Sequence, residues 1–268
     1  MVEPVDRGSD HVQSLARGLS VIKAFSATSP ELTLSEVARA TDLTRAAARR
    51  FLLTLVDLGY VRTDGRLFAL SPRVLELGYA YLSSLSLPEV AEPHLERLVA
   101  EVHESASVAV LDGEDVVYVA RVATGRIMRV TINIGTRFPA HCTSMGRVLL
   151  AWLPPDDLDA YLGHVELRRL APKTITSPTA LRAELDRIRS QGWAMVDQEL
   201  EEGLRSIAVP VRERSGRVTA AINISSHASR TTAESARRDL LPPLLATAAR
   251  VEADLHATGA RSGVLSHR

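Results

Sequence analysis

The stretch "TLSEVARATDLTRAAARRFLLTLVDLGYV", residues 33–61, decides the fold of the first part of the chain. Thr33 and Glu36 match a capping box, in which a hydroxyl and a carboxylate satisfy the free amides at the start of a helix. Thr44 can cap a second helix, which ends at Gly59. Two helices joined by so short a connection are typical of a helix-turn-helix.

The second of these helices combines an apolar stripe with an arginine face. Arg45 and Arg49 are four residues apart and share one exposed face, and Arg50 lies at its edge. The guanidinium fork can bind a guanine edge or a phosphate, so this face is typical of a recognition helix in the major groove. The solvated face of an ordinary helix is the alternative. The core-side stripe is predicted to be Ala48, Phe51, Leu52, Leu55 and Leu58.

The flanking residues complete a small domain. Apolar residues recur every three or four positions before the quoted stretch, which predicts an earlier helix with Leu15, Leu19, Ile22 and Phe25 on its inner face. After the stretch, two strand-like pieces flank Asp64-Gly65, a strong hairpin signal. Three helices and a hairpin predict a winged helix-turn-helix over residues 12–71.

Charge supports a nucleic-acid surface on this domain. The whole chain has 32 basic and 32 acidic residues, so any patch that binds DNA must be local. Between Arg39 and Arg73 there are seven basic and three acidic residues. We therefore predict that double-stranded DNA is bound by Thr44, Arg45, Arg49, Arg50, Arg62 and Arg66.

The remainder predicts a linker and a second domain. Ser71 can cap, and Pro72 can start, a linker helix over residues 72–87 that Pro88 ends. Residues 88–257 mix helices with paired strands, an order that predicts an α+β domain with a mainly antiparallel sheet flanked by helices. Residues 1–11 and 258–268 are predicted to be flexible tails.

Several classes of protein are disfavoured. The single cysteine, Cys142, excludes an intramolecular disulfide and fits a reducing compartment. There is no secretory signal or long apolar segment, so we expect a cytoplasmic protein with no membrane partner. On a strand, His141 and Cys142 would point to opposite faces and could not act together, so Cys142 is interpreted as a small buried hydrophobe. The acidic residues at positions 197–202 are interpreted as a solvated loop. We predict no enzyme activity, no catalytic residue, no metal and no cofactor.

Longer motifs resemble one family. "SLARGLSVIKAFS" and the quoted stretch resemble the winged-helix domain of the IclR family of bacterial transcription regulators. "GTRFPAHCTSMGRVLLAWLP", "VDQELEEGLRSIAVPVRE" and "AAINIS" resemble its C-terminal effector domain, which has a GAF-like fold. The resemblance runs from about Val12 to about Ala257. It is greatest to the subgroup that controls aromatic-acid breakdown through the β-ketoadipate pathway.

This resemblance implies a function and a set of contacts. It implies a homodimer, or a dimer of dimers, that reads a pseudo-palindromic operator and controls catabolic genes in response to a small carboxylate effector. The implied effector contacts are Ser144, Met145, Asp197, Ser206, Asn223 and Ser225. A ligand-sensing dimerisation module that acts through protein partners is the alternative.

The chemistry of these residues leaves several interpretations open. The hydroxyl residues before Gly146 start a helix whose free amides and dipole favour an anion. The alternative is an ordinary capped helix that binds no ligand, which has the same sequence pattern. Asn223 and Ser225 share one strand face, which would line a pocket if it points inward and be solvated if it points outward. Met145 could pack on a ligand or in the core. Asp197 would repel a carboxylate unless it accepted a hydrogen bond from a ligand hydroxyl.

Overall fold

The computed structural model describes residues 12–26, 28–77, 86–124 and 132–257. The chain folds as two compact units that divide near residue 81. Both predicted tails and half of the predicted linker helix lie outside the described residues. The domain bounds given above therefore stay predictions.

The N-terminal unit is a three-helix arrangement with a small antiparallel sheet. Its elements are α1 (Gln13–Lys23), β1 (Glu31–Thr33), α2 (Leu34–Ala40), α3 (Arg45–Asp57), β2 (Val61–Thr63) and β3 (Leu67–Leu70). The sheet has the strand order β1-β3-β2. The hairpin of β2 and β3 was predicted, whereas β1 was not, because three residues before a capping site carry little period-two signal.

Side-chain burial corrects part of the predicted core. Ala48, Leu52 and Leu55 of α3 are buried, as predicted. Leu58 was predicted on the core side, but it is 51% exposed because it lies beyond the end of α3. Of the apolar residues of α1 that were predicted to face inward, Leu15 and Leu19 are 64% and 46% exposed, while Val21 takes the buried position.

The chain after the hairpin starts as predicted and then differs in detail. The Ser71 hydroxyl accepts a hydrogen bond from the Arg73 amide at 3.3 Å. The residues that follow it, Pro72–Val74, form a 3-10 turn. Residues 75–77 are helical.

The C-terminal unit is built on one six-stranded sheet. Its elements are α4 (Ser86–Val102), β4 (Ser105–Asp112), β5 (Asp115–Val122), β6 (Arg137–Pro139), α5 (Ser144–Ala151), α6 (Pro155–His164), α7 (Pro178–Gln191), β7 (Ala194–Asp197), β8 (Leu204–Arg212), β9 (Val218–His227), α8 (Ala233–Ser235) and α9 (Leu241–Ala257). The strand order is β6-β5-β4-β9-β8-β7, with every neighbouring pair antiparallel. The predicted α+β class is confirmed.

The two faces of this sheet bury different sets of residues. On one face, α4 and α9 pack on the strands through residues such as Leu95 and Val251, which meet Ile222 and Ile224 of β9. On the other face, α5, α6 and α7 cover Ala208 and Ala221, among others. Asn223 and Ser225 alternate with the two isoleucines, so they point toward the second face.

Three predictions for this unit need correction. Pro88 does not end a helix but lies in the first turn of α4, where the missing amide proton costs little. The alternating charges of "ALRAELDRIRSQGW" predict a surface helix with a solvated face, but Leu181, Leu185 and Ile188 of α7 are buried. Helix α6 was not predicted. The stretch "RIMRVTINIGTRF" is strand-like in sequence, but of its described residues only those of β6 lie in a strand.

Candidate DNA interface and effector cavity

Helix α3 presents its arginines to solvent. Thr44 is its N-cap, and the Thr44 hydroxyl accepts a hydrogen bond from the Ala47 amide at 3.2 Å. Arg45, Arg49 and Arg50 are all exposed. Arg45 and Arg49 are about 6 Å apart along the helix axis. No ion pair holds these three guanidinium groups against a carboxylate within the described ranges, so the face is available to a duplex.

The hairpin carries the two predicted wing arginines. Asp64 closes the turn by accepting hydrogen bonds from the amides of Arg66 and Leu67 at 2.9 and 2.7 Å. Arg66 is exposed at the turn. Arg62 lies 3.9 Å from Glu31 with a side chain 71% exposed, a weak pair that a phosphate can displace.

Arg73 contributes to the fold of this unit. Its Nη1 donates to the Leu58 carbonyl oxygen at 3.1 Å, and its guanidinium carbon lies 5.5 Å from the centre of the Tyr60 ring. A cation at this position stabilises the free carbonyls at the end of α3. Arg73 therefore counts toward the basic charge of the segment without being free to bind DNA.

A cavity in the C-terminal unit collects four of the six predicted effector contacts. Ser144 comes from the start of α5, Ser206 from β8, and Asn223 and Ser225 from β9. In the sheet, Ser206 lies directly opposite Ser225. The remaining lining residues are Tyr118, Ile132, Cys142, Thr143, Val196, Leu200 and Leu204. The polar face of β9 thus points into a pocket and not into solvent.

Two polar atoms at this cavity lack partners within the described part of the chain. They are Oγ of Ser144 and Oδ1 of Asn223. The Asn223 amide nitrogen donates to Ser225 Oγ at 3.1 Å, which leaves the amide oxygen as an unused acceptor. A buried polar atom without a partner is costly, so these atoms suit a ligand that supplies a hydrogen-bonding group.

The other two predicted contacts lie apart from the lining residues. Met145 is completely buried in the core between α5 and the sheet. Asp197 accepts hydrogen bonds from Lys173 Nζ at 3.1 Å and Arg205 Nε at 3.0 Å. Burial acts to raise the pKa of the Asp197 carboxyl, but the hydrogen bond from Lys173 and the charge of Arg205 outweigh it, so this pKa is lowered. Its charge is satisfied by the protein itself.

A buried ion pair beside the cavity was missed from the sequence. Arg147 Nη1 donates to Glu199 Oε1 at 2.7 Å, and the two side chains are 1% and 11% exposed. Arg147 Nε also donates to the His141 carbonyl oxygen at 2.7 Å. The prediction of a solvated acidic loop was wrong for Glu199. The signal was an arginine inside the apolar run "SMGRVLLAWL", since a buried arginine requires a carboxylate partner.

The surroundings of His141 and Cys142 differ from the expected strand. Both residues lie in a 3-10 turn, Ala140–Cys142, and both are completely buried. Burial lowers the pKa of His141 and raises the pKa of the Cys142 thiol to about 12. A thiol with so high a pKa is a poor nucleophile. The interpretation of Cys142 as a small buried hydrophobe is therefore confirmed.

The two units match two family models in the order that the sequence predicted. The model of the IclR helix-turn-helix domain matches residues 14–65. The model of the bacterial transcriptional regulator IclR C-terminal domain matches residues 79–253, well over half of the chain. The chain belongs to the IclR family.

Relatives within the IclR family include regulators of aromatic catabolism. The Pca regulon regulatory protein of Pseudomonas putida is 48% identical over 238 residues, 88% of this chain and 82% of that protein. The p-hydroxybenzoate hydroxylase transcriptional activator of Acinetobacter baylyi is 38% identical over 247 residues, 90% of this chain and 91% of that protein. A crystal structure of an IclR homolog complexed with 4-hydroxybenzoate, from Microbacterium hydrocarbonoxydans, is 28% identical with a TM-score of 0.81, covering 91% of this chain and 99% of that chain.

Membership of the IclR family establishes the broad activity. The chain is a DNA-binding transcription regulator and not an enzyme, since the family and these relatives are transcriptional regulators. The helix-turn-helix match begins within α1 and ends in the hairpin turn, and it includes five of the six predicted DNA contacts, all except Arg66. In the part of the chain that the structure describes, no helix is both long and apolar enough to cross a membrane.

Proposed function

We propose that this regulator controls genes of aromatic-acid catabolism and that its effector is a small aromatic carboxylate bound in the cavity between α5 and the sheet. The unpartnered Ser144 and Asn223 oxygens carry this proposal, because they offer unused hydrogen-bonding groups in a site whose walls also include apolar residues such as Leu200. The relatives named above support this class of effector. Such a protein would bind its operator DNA and regulate transcription in the cytoplasm.

The size of the cavity sets a requirement on binding. The cavity has a volume of only about 10 Å³, which is room for about one water molecule. An aromatic ring is larger, so the cavity walls must separate before a ring can enter. The loop between β7 and β8 supplies Leu200 and is the wall we expect to move. An effector that prefers the opened arrangement then shifts the population toward it.

We further propose that the regulator acts as a homodimer, or a dimer of dimers, on a pseudo-palindromic operator. Val12, Leu15 and Leu19 form an exposed apolar stripe along α1, with 60%, 64% and 46% of their surfaces accessible. Three large apolar side chains at helical spacing favour a contact with a second copy. Two recognition helices in successive major grooves would read half-sites about 34 Å apart.

A thermal-shift screen tests the effector proposal. Benzoate, 4-hydroxybenzoate, 3,4-dihydroxybenzoate and β-ketoadipate would each be added to the full-length chain. At least one aromatic acid should raise the unfolding temperature, because a ligand that binds the folded state stabilises it by mass action. Ser225→Ala, with a changed cavity wall, should reduce the shift. Ser215→Ala in the β8–β9 hairpin turn is the matched control and should not.

A further inference from the structure

The cavity face of the sheet bears a cation that the sequence did not single out. Arg121, on β5, is half-buried, and its Nη1 donates to Ser107 Oγ at 3.3 Å. Ser107 is 1% exposed. No carboxylate is paired with Arg121 among the described residues. A partly buried guanidinium without an anionic partner is unusual, because burial of a charge is costly unless it is neutralised.

An irregularity in the strand pairing places Arg121 on the cavity side. The register of β4 against β5 shifts between Val108 and Ala109, where a β-bulge lies. Ala109 opposes Tyr118 and Ser107 opposes Arg121. Because Ser107 and Ala109 are two residues apart on β4, they point to one face, and their partners share that face. Tyr118 and Arg121 are three residues apart on β5, so without the bulge they would point to opposite faces.

Two further observations bring Arg121 close to the effector contacts. Tyr118 lines the cavity, and burial raises the pKa of its hydroxyl to about 12, while the positive charge of Arg121 opposes that rise. Across the sheet, Arg121 opposes Ser107, which opposes Asn223 on β9. Two strand spacings separate the first residue from the last, about 10 Å between backbones. Burial also lowers the pKa of Arg121, a cost that a bound anion would offset.

We propose that Arg121, assisted by Ser107, binds the carboxylate of the effector, while Asn223 and Ser144 bind the opposite, polar end. This inference rests on the proposed function and adds to it the residue that selects acids over neutral analogues. These two sets of contacts define the orientation of the ligand. Its carboxylate points toward β5, and its ring substituent points toward β9 and α5. Charge-assisted hydrogen bonds from a guanidinium to a carboxylate are stronger than those between neutral groups.

Calorimetric titration with a matched pair of ligands tests this assignment. The probes are 4-hydroxybenzoate and its uncharged analogue 4-hydroxybenzamide, titrated into the full-length chain. Arg121→Gln should weaken binding of the acid by about 10- to 100-fold, the range expected for hydrogen bonds to a charged group. Its affinity for the amide should be nearly unchanged, which also shows that the variant is folded. Arg121→Lys, which keeps the charge, should fall between the wild type and Arg121→Gln for the acid.

A control and three outcomes complete the design. Arg137→Gln removes an arginine of the neighbouring strand β6 whose side chain is paired with Asp112 and Asp115, and it should not change the preference for the acid. If Arg121→Gln loses equal affinity for the acid and the amide, or loses none, the inference is overturned while the proposed function stands. Wild-type protein that binds neither ligand nor any other aromatic acid would overturn the proposed function and the inference together. If the amide is too weak to measure, the order of Arg121→Lys and Arg121→Gln for the acid decides the question, and equal affinities overturn the inference.

Discussion

Arg147 of α5 and Glu199 of the β7–β8 loop face each other as a two-pronged ion pair, with Nη1 to Oε1 at 2.7 Å and Nη2 to Oε2 at 2.5 Å. Glu199 Oε2 also accepts a hydrogen bond from the Ile175 amide at 3.1 Å. The pair thus joins the helix that supplies Ser144 to the loop that supplies Leu200, and these residues are two walls of the same cavity.

Removing one partner of this pair should be strongly destabilising. Arg147→Met leaves the Glu199 carboxylate buried without its cation, and we expect a loss of about 3–5 kcal/mol in the free energy of unfolding. Arg147→Met combined with Glu199→Gln should recover part of the loss, because no net charge then stays buried. Urea unfolding followed by circular dichroism measures both. Arg187→Met, at a more exposed pair with Glu184, is the control, with an expected loss of at most about 1 kcal/mol. Equal losses at the two sites would contradict the account.

Gly146 should be irreplaceable even by alanine. A Cβ at this position would overlap the carbonyl oxygen of Ala140, because the start of α5 lies directly against the 3-10 turn before it. Gly146→Ala should therefore displace Ser144, lower the unfolding temperature and weaken effector binding. Gly163→Ala is the matched control, since that position in α6 has open space around it and alanine favours a helix by roughly 0.5–1 kcal/mol. A Gly146→Ala protein as stable as the Gly163→Ala protein would refute the predicted clash.

The capping box at the start of α2 should be detectable through the titration of the Glu36 carboxyl. Hydrogen bonds from the Thr33 amide and then the Thr33 hydroxyl lower the pKa of Glu36 below its usual 4.5. Because the pKa of Glu36 is lower in the folded state, its ionised carboxylate stabilises the folded protein. This contribution is complete above about pH 4.5 and is lost as the pH falls through the folded-state pKa. Thr33→Ala removes the hydroxyl but keeps the amide, so the pKa should rise only part of the way.

Nuclear magnetic resonance of the Glu36 side-chain carboxyl carbon measures that pKa directly. Thr33→Ser keeps the hydroxyl and should leave the value near that of the wild type. A Thr33→Ala protein whose Glu36 titrates at the wild-type pKa would show that the hydroxyl does not contribute to the cap.

Local sequence patterns predicted much of the fold because their causes are local. The capping residues Thr33 and Thr44 and the turn at Asp64-Gly65 depend on neighbours within a few positions, and all three are found as predicted. The alternation of Asn223 and Ser225 with isoleucines predicted a shared strand face in the same way. Such signals require no knowledge of distant contacts.

The features that were missed depend on residues far apart in the chain. The partner of Arg147 is 52 positions away, and Arg121 reaches the cavity face only because of a bulge opposite Val108 and Ala109. Asp197 was predicted as an effector contact, and the sequence could not show that Lys173 and Arg205 would satisfy its charge. In each case the tertiary pairing, and not the local pattern, decides what a charged side chain does.

The most direct test of the central claim measures DNA and effector binding on the same protein. A fluorescent duplex selected by the wild-type chain from a random pool would be titrated by anisotropy, with and without 4-hydroxybenzoate. Arg49→Ala should lose roughly 1–3 kcal/mol on this duplex if the arginine reads a base, while its affinity for the acid is unchanged, and the acid should alter the affinity of the wild type for the duplex. Unchanged duplex binding by both Arg45→Ala and Arg49→Ala would contradict the account.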